Sequence, residues 1–309
     1  MDWIIFALLT PLFWSITAIM DKFLLSKTIK DPISYSILME FLWLFFILVI
    51  IIAIPISFDF PFMLWGIFSG MLDMISYFLY CKLMKIEEAS RVIPILYLNV
   101  FFTALLAFFF FGEVFTIPKY LGMLALVAGS ILLSYKKQIN PRKKGLSIIK
   151  NLFIVPILVP VILTCFLSAS VNIIDKYVLF SVNYWILVVW SVIGEIAVTL
   201  FMLLNKKIRK NFVTSVNILK SKKKSFVVML ANEVLGFLAI ISSLIAISLG
   251  PVSLVIALGT VQPLFVFILT IILSLFMPKI LKEEISKSIL SLKLFSIVLI
   301  IFGTWLVTV

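Results

Sequence analysis

The fold class this sequence predicts is an all-α polytopic membrane protein, with ten transmembrane helices arranged as two inverted five-helix repeats. Three observations carry that prediction: ten long apolar stretches, basic residues confined to every second gap between them, and polar residues that recur at offsets of 154–163 positions. Composition agrees, because 63% hydrophobic residues, 13% charged residues and a mean hydropathy of +1.26 lie far outside the usage of water-soluble domains.

A hydrocarbon layer about 30 Å thick needs about 20 apolar residues in a helix, since the layer offers backbone groups no partner except their own helix. Stretches of that kind run over Trp3–Met20, Pro32–Ile54, Phe62–Leu83, Ala89–Phe111 and Ile117–Tyr135 in the first half. In the second half they run over Phe153–Ile174, Val182–Asn205, Phe226–Leu249, Val252–Met277 and Leu290–Val309. The first carries no basic leader and no small-residue cleavage site, and its Pro11, Trp14 and Ser15 read as parts of a working helix rather than of a signal peptide. A basic linker over 136–151, containing Pro141 and Gly145, divides the chain into five-helix repeats at 1–135 and 152–309.

The net charge of +12 raises the question of nucleic acid, but loop parity explains it better. Of the 26 lysines and arginines, 24 fall in the gaps after the first, third, fifth, seventh and ninth stretches, leaving Lys119 and Lys176 for the other side. The positive-inside rule then places those gaps in the cytoplasm, next to anionic lipid headgroups, and both termini outside. The simplest setting is a prokaryotic plasma membrane. Within the gap after the seventh stretch, Ile208, Phe212, Val216 and Leu219 recur at helical spacing among eight cations, consistent with either an interfacial helix or a solvated basic loop.

Chemistry-bearing motifs are few. The chain has no histidine, and Cys81 and Cys165 lie in or beside apolar stretches as packing residues, so no metal site and no cofactor is expected. A phosphate-binding loop is missing, which argues against ATP as a direct energy source, and the clustered chemistry of a membrane-embedded enzyme is missing too. A scaffold would be expected to carry a soluble domain or a long tail, leaving transport as the leading reading.

The halves look related. Asp21-Lys22-Phe23 closes the first stretch and Asp175-Lys176-Tyr177 the sixth, at an offset of 154 residues; Glu40 and Glu195 are 155 apart. Ser90 and Asn99 align with Ser253 and Gln262 at a common offset of 163. Because five is odd, a tandem copy enters the membrane upside down, an architecture that puts a substrate site near the midplane between the halves.

At the fourth and fifth stretches, Glu88-Ala89-Ser90-Arg91-Val92-Ile93-Pro94 leads to Gly112-Glu113-Val114-Phe115-Thr116, followed by Gly122 and Gly129. This string resembles the EamA-type family of the drug/metabolite transporter superfamily. The second half matches more loosely through Gly250-Pro251-Val252-Ser253, Pro263 and Gly303. Two features depart from the family pattern. Phe276-Met277-Pro278 stands where a second Gly-Glu turn is expected, and the charge bias opposes the cytoplasmic termini usual in that family. The resemblance implies a transporter of small metabolites, often an exporter, and leaves the cargo, direction and oligomeric state, monomer or homodimer, open.

An acid at the bilayer centre costs about 2.5–3.5 kcal/mol on insertion scales and therefore asks for a reason. Glu40, Asp73, Glu195 and Glu233 lie well inside apolar stretches, and no lysine or arginine lies at comparable depth. That one-sided charge points to a site for a cationic or zwitterionic solute such as an amino acid, amine or lipophilic drug, with the proton as the candidate coupling ion. Asn99 and Gln262 are the uncharged candidates, each offering donors and acceptors between the halves, with Asn172, Asn232, Tyr97, Tyr77 and Trp14 completing a pocket. Dominance of those amides and aromatics would instead favour a sugar conjugate or lipid-linked sugar. Pro11, Pro94, Pro156, Pro160 and Pro263 are expected to interrupt the first, fourth, sixth and ninth helices, with Pro11, Pro94, Pro160 and Pro263 as hinges.

Overall fold

The computed structural model describes residues 2–56, 58–86, 89–133, 155–276 and 287–309. Among them the chain is helical, with no strand. The first half forms α1 (Asp2–Lys27), α2 (Pro32–Ala53), α3 (Phe60–Ile86), α4 (Ala89–Leu96), α5 (Asn99–Phe111) and α6 (Ile117–Leu133). The second half forms α7 (Val155–Leu179), α8 (Tyr184–Leu203), α9 (Lys206–Ser221), α10 (Lys223–Leu249), α11 (Val252–Gly259), α12 (Gln262–Phe276) and α13 (Lys287–Thr308).

Among the described residues, each expected apolar stretch is mainly helical. Eight helical segments are long and apolar enough to cross a bilayer, two of them joining α4 to α5 and α11 to α12; the apolar helices Ile117–Leu133 and Leu292–Thr308 are shorter. The protein is a multi-pass integral membrane protein. The whole of the expected linker, 136–151, lies outside the described residues, as does the segment around Pro278.

Local chemistry accounts for the helix ends. The Asp31 carboxylate accepts from the Ser34 amide at 3.1 Å and Pro32 supplies a preset first residue for α2. Asn183 and Asn205 cap α8 and α9 in the same way. Gly112 ends α5 at φ +64°, the left-handed conformation that glycine adopts without a Cβ penalty.

Two features differ from expectation. Helices α1 and α7 run on past Met20 and Ile174 to Lys27 and Leu179, so Asp21 and Asp175 are helical residues rather than end markers. Neither is interrupted by its proline: Pro11 and Pro160 sit inside continuous helices, because one missing N–H is tolerated when neighbouring helices hold the segment. Interruptions occur only in the fourth and ninth stretches, at Tyr97-Leu98 and Thr260-Val261, which are 163 residues apart. Pro94 precedes the first break by one turn, whereas Pro263 follows the second as a residue of the first turn of α12.

Helices pair closely where glycine lets backbones meet. A Cβ at Gly70 of α3 would fall on the Ser191 carbonyl of α8, and one at Gly194 of α8 on the Ile67 carbonyl of α3. Gly122 and Gly303 join α6 to α13 likewise, each facing the other's carbonyl. Helix α9 turns Phe212, Val216 and Leu219 onto the protein, with the Phe212 ring 5.7 Å from Phe41 of α2, and leaves its lysines exposed. Its apolar stripe is thus spent largely on packing rather than left free for lipid.

The described basic gaps after α1 and α8 meet at one end of the bundle, where Thr28 bonds Ser225 at 3.0 Å and Lys222 reaches the Lys27 carbonyl. At the opposite end Glu113 meets the start of α11, and Trp3 packs on Gly250.

Candidate functional site: an acid-lined cavity between the halves

The helices enclose a cavity with two lobes that share Trp14, Trp43, Asp73, Tyr97, Asn99, Ser168, Glu195 and Ile240. The lobe toward the opposite end has a volume of ≈ 260 Å³ and adds Ser69, Asn172 and Asp175; the lobe toward the basic end measures ≈ 330 Å³ and adds Asp21, Glu40, Tyr77, Tyr80, Asn232, Glu233 and Gln262. Volumes near 300 Å³ suit a small molecule.

All eleven expected binding residues line this cavity: Glu40, Asp73, Glu195, Glu233, Asn99, Gln262, Asn172, Asn232, Tyr97, Tyr77 and Trp14. None of the four hinge candidates Pro11, Pro94, Pro160 and Pro263 does. Two acids that the sequence reading left out, Asp21 and Asp175, line it as well. Their role was hidden because a charge at the edge of an apolar stretch reads as the end of the span.

Asp21 is 4% exposed and accepts three hydrogen bonds, from the Tyr35 hydroxyl at 2.6 Å, the Tyr80 hydroxyl at 3.0 Å and the Asn232 amide at 2.6 Å. Asp175 accepts one, from the Ser69 hydroxyl at 2.5 Å. The neighbouring lysines are drawn elsewhere. Lys22 donates to the Met84 carbonyl at 2.8 Å, near the end of α3, and Lys176 to the Ile247 and Gly250 carbonyls at 2.7 and 3.0 Å, at the end of α10. Cations suit the partly negative C-terminal ends of helices.

Glu40 and Glu195 are close enough to interact electrostatically, and Trp43 and Glu233 line the same lobe. Six acids thus line the cavity, while no lysine or arginine among the described residues does. Glu40 Oε1 and Asn232 Oδ1 are buried without a hydrogen-bond partner, as is Asn99 Oδ1. No three His, Cys, Asp or Glu residues among those described are grouped to hold a metal ion.

Among the amides, Gln262 is engaged through both its oxygen and its nitrogen. Gln262, at the start of α12, accepts from the Tyr97 hydroxyl at 2.6 Å and donates to the Trp14 carbonyl at 2.8 Å, tying both helix breaks to α1. Cys81 is buried as a packing residue, and the buried Cys165 thiol lies 3.3 Å from the Leu96 carbonyl.

Glu113 lies outside the cavity. It accepts from the Val252 amide at 2.9 Å, the Ser253 amide at 3.2 Å and the Ser253 hydroxyl at 2.5 Å, so it caps α11 across the two halves. A carboxylate there satisfies two orphan amides at a helix N-terminus. Sequence reasoning saw Gly112-Glu113 only as a family marker.

No curated protein matches the chain in sequence. A crystal structure of another protein superposes with a TM-score of 0.70 at 14% identity, covering 99% of this chain and 96% of that one, which establishes a shared fold. The model of the EamA-like transporter family matches residues 1–135, which take in α1 to α6 and the strings Glu88–Pro94 and Gly112–Thr116 that carry the resemblance.

Proposed function

We propose that the protein is a secondary carrier that moves a small cationic or zwitterionic metabolite, an amine or amino acid, by alternating access, exchanging it for protons. The observation that carries this reading is a cavity lined by six carboxylates and no cation among the described residues. Buried carboxylates need neutralisation by a bound proton or a bound cation, and a site that accepts either couples the two. A sugar conjugate is less well served, because the Gln262 amide is already held from both sides by Tyr97 and the Trp14 carbonyl.

Ten spans in two inverted repeats is the arrangement we adopt, with the basic end in the cytoplasm. Support comes from paired features: breaks at Tyr97-Leu98 and Thr260-Val261, and lysine bonds to the Met84 and Ile247 carbonyls, each pair of sites 163 residues apart. Helices of opposite entry that share a midplane cavity suit alternating access. Selective labelling of Lys207→Cys from the inside of intact cells, and of Thr116→Cys from the outside, checks the orientation.

The direct test is amine transport into liposomes containing the purified protein, with and without an imposed pH gradient. Glu40→Gln, Asp73→Asn, Glu195→Gln and Glu233→Gln are expected to abolish transport or its response to the gradient. Unchanged transport in all four variants would overturn the mechanism.

A further inference from the structure

We infer that the cargo is a linear polyamine, a flexible chain with two or more ammonium groups, rather than a compact monovalent cation. This rests on the cation-carrier reading above and narrows its substrate class.

The acids are spread along the cavity instead of being gathered at one point. Ser69, the partner of Asp175, and Tyr80, a partner of Asp21, lie eleven residues apart on α3, an axial separation of about 16 Å at 1.5 Å per residue. Asp73 stands one turn beyond Ser69 on the same helix and belongs to both lobes. Glu195 joins it from α8. A single ammonium ion satisfies the acids at one level and leaves the rest without a counter-charge. An extended chain with charges at intervals of a helical turn or two meets all levels at once.

Besides this spacing, the structure leaves acceptors waiting in the lobe at the basic end, one on an acid and one on an amide. Glu40 Oε1 and Asn232 Oδ1 belong to residues 4% and 3% exposed, and neither has a hydrogen-bond partner. An ammonium group carries three donors and no acceptor, which is the complement of that pair. A metal ion fits less well, since no three ligating side chains among the described residues are grouped. The walls suit the rest of such a molecule: Trp14, Trp43, Tyr77 and Tyr97 present aromatic surface on which methylenes pack and ammonium groups find a favourable face.

The test is a binding titration on the purified full chain, read by tryptophan fluorescence, with spermidine, putrescine and n-butylamine at one fixed ionic strength. Affinity is expected to rise about tenfold for each added ammonium group. Asp175→Asn is expected to weaken spermidine about tenfold while moving butylamine less than about twofold, because the shorter probe takes the other level. Asp21→Asn changes the level the shorter probe takes and is expected to weaken both amines; should it fail to fold for want of an acceptor for its three donors, Asp175→Asn carries the comparison alone. Equal affinities for spermidine and butylamine, or an equal loss of both in Asp175→Asn, would overturn the polyamine assignment and leave the cation carrier standing. Failure of all three amines to bind would overturn both.

Discussion

The two Asp-Lys pairs are alike in sequence and unlike in surroundings. Asp21 is held by two tyrosines and an asparagine, whereas Asp175 has a single serine hydroxyl, and both are nearly closed off from solvent. Their lysines behave the same way, each reaching a carbonyl near the end of a neighbouring helix. One pair therefore doubles as a structural knot that joins α1, α2, α3 and α10, and the other leaves its carboxylate freer to exchange partners. Matching sequence motifs need not share surroundings.

The largest expected effect breaks that comparison directly. Asp21→Ala strands three buried donors, each costing about 1–3 kcal/mol when left unpaired, so a loss of roughly 3–5 kcal/mol is expected after relaxation. Asp175→Ala strands only the Ser69 hydroxyl and is expected to cost about 1–3 kcal/mol. Denaturation in mild detergent, followed for both variants side by side, measures the difference. If Asp175→Ala proves the more damaging, the division into knot and exchange site is wrong.

A second comparison sets the α3–α8 seam against the rest of the cavity wall. Asp73 and Glu195, common to both lobes, come from these two helices, whose approach is fixed by Gly70 and Gly194. Gly70→Val puts side-chain atoms on the Ser191 backbone, so the helices must separate, at a cost of about 1–3 kcal/mol or more. Transport is expected to fall further than stability alone requires, because the two acids move apart. A variant with full stability and full transport would mean that the seam is not tight.

At the end of the bundle away from the basic gaps, Glu113 fastens the α5–α6 turn to the start of α11. Glu113→Ala removes acceptors for two amides and a hydroxyl and is expected to cost about 2 kcal/mol; Ser253→Ala leaves both amide bonds and is expected to cost about 1 kcal/mol. Thermal unfolding of the two variants checks the order. Equal effects would place the whole contribution in the Ser253 hydroxyl.

Binding of amines also carries a pH signature. A proton and an ammonium group compete for the same carboxylates, so raising the pH removes the competitor and strengthens amine binding as long as the amine stays charged. Titrations at about pH 5.5 and pH 8, both below the ordinary amine pKa of about 10.4, read the sign. Weaker binding at the higher pH would separate the cargo site from the acids.

The helical spans were legible in the sequence, because hydropathy over about 20 residues responds to the bilayer rather than to tertiary detail. The interior acids were legible for the same reason: a carboxylate amid leucine and phenylalanine stands out. Asp21 and Asp175 were not, since hydropathy cannot tell the end of a helix from the end of an apolar run. Interruptions of the fourth and ninth helices were expected from Pro94 and Pro263 and occur beside them, at Tyr97-Leu98 and Thr260-Val261. Proline signals a lost hydrogen bond, yet Pro11 and Pro160 lose theirs inside intact helices, so it was packing that decided where the backbone opened. The grip of Glu113 on Ser253 spans 140 residues and joins two turns, and no local pattern foretells it.

The smallest expected effect tests whether the two breaks act together. Tyr97 lies at the first and Gln262 just past the second, and their hydrogen bond of 2.6 Å crosses the cavity where the lobes meet. Tyr97→Phe keeps the ring and leaves the Gln262 carbonyl, 8% exposed as a residue, without its donor, at a cost of about 1 kcal/mol. Gln262→Leu removes the acceptor and also one of the donors to the Trp14 carbonyl, which keeps the Thr17 hydroxyl, so its own cost is larger and less specific. The double variant isolates the pair: if the bond fastens one break to the other, the two losses fall short of additivity by about 1 kcal/mol. Strict additivity would mean that each break is held by its own half, and that the cavity's two lobes are joined by shape alone.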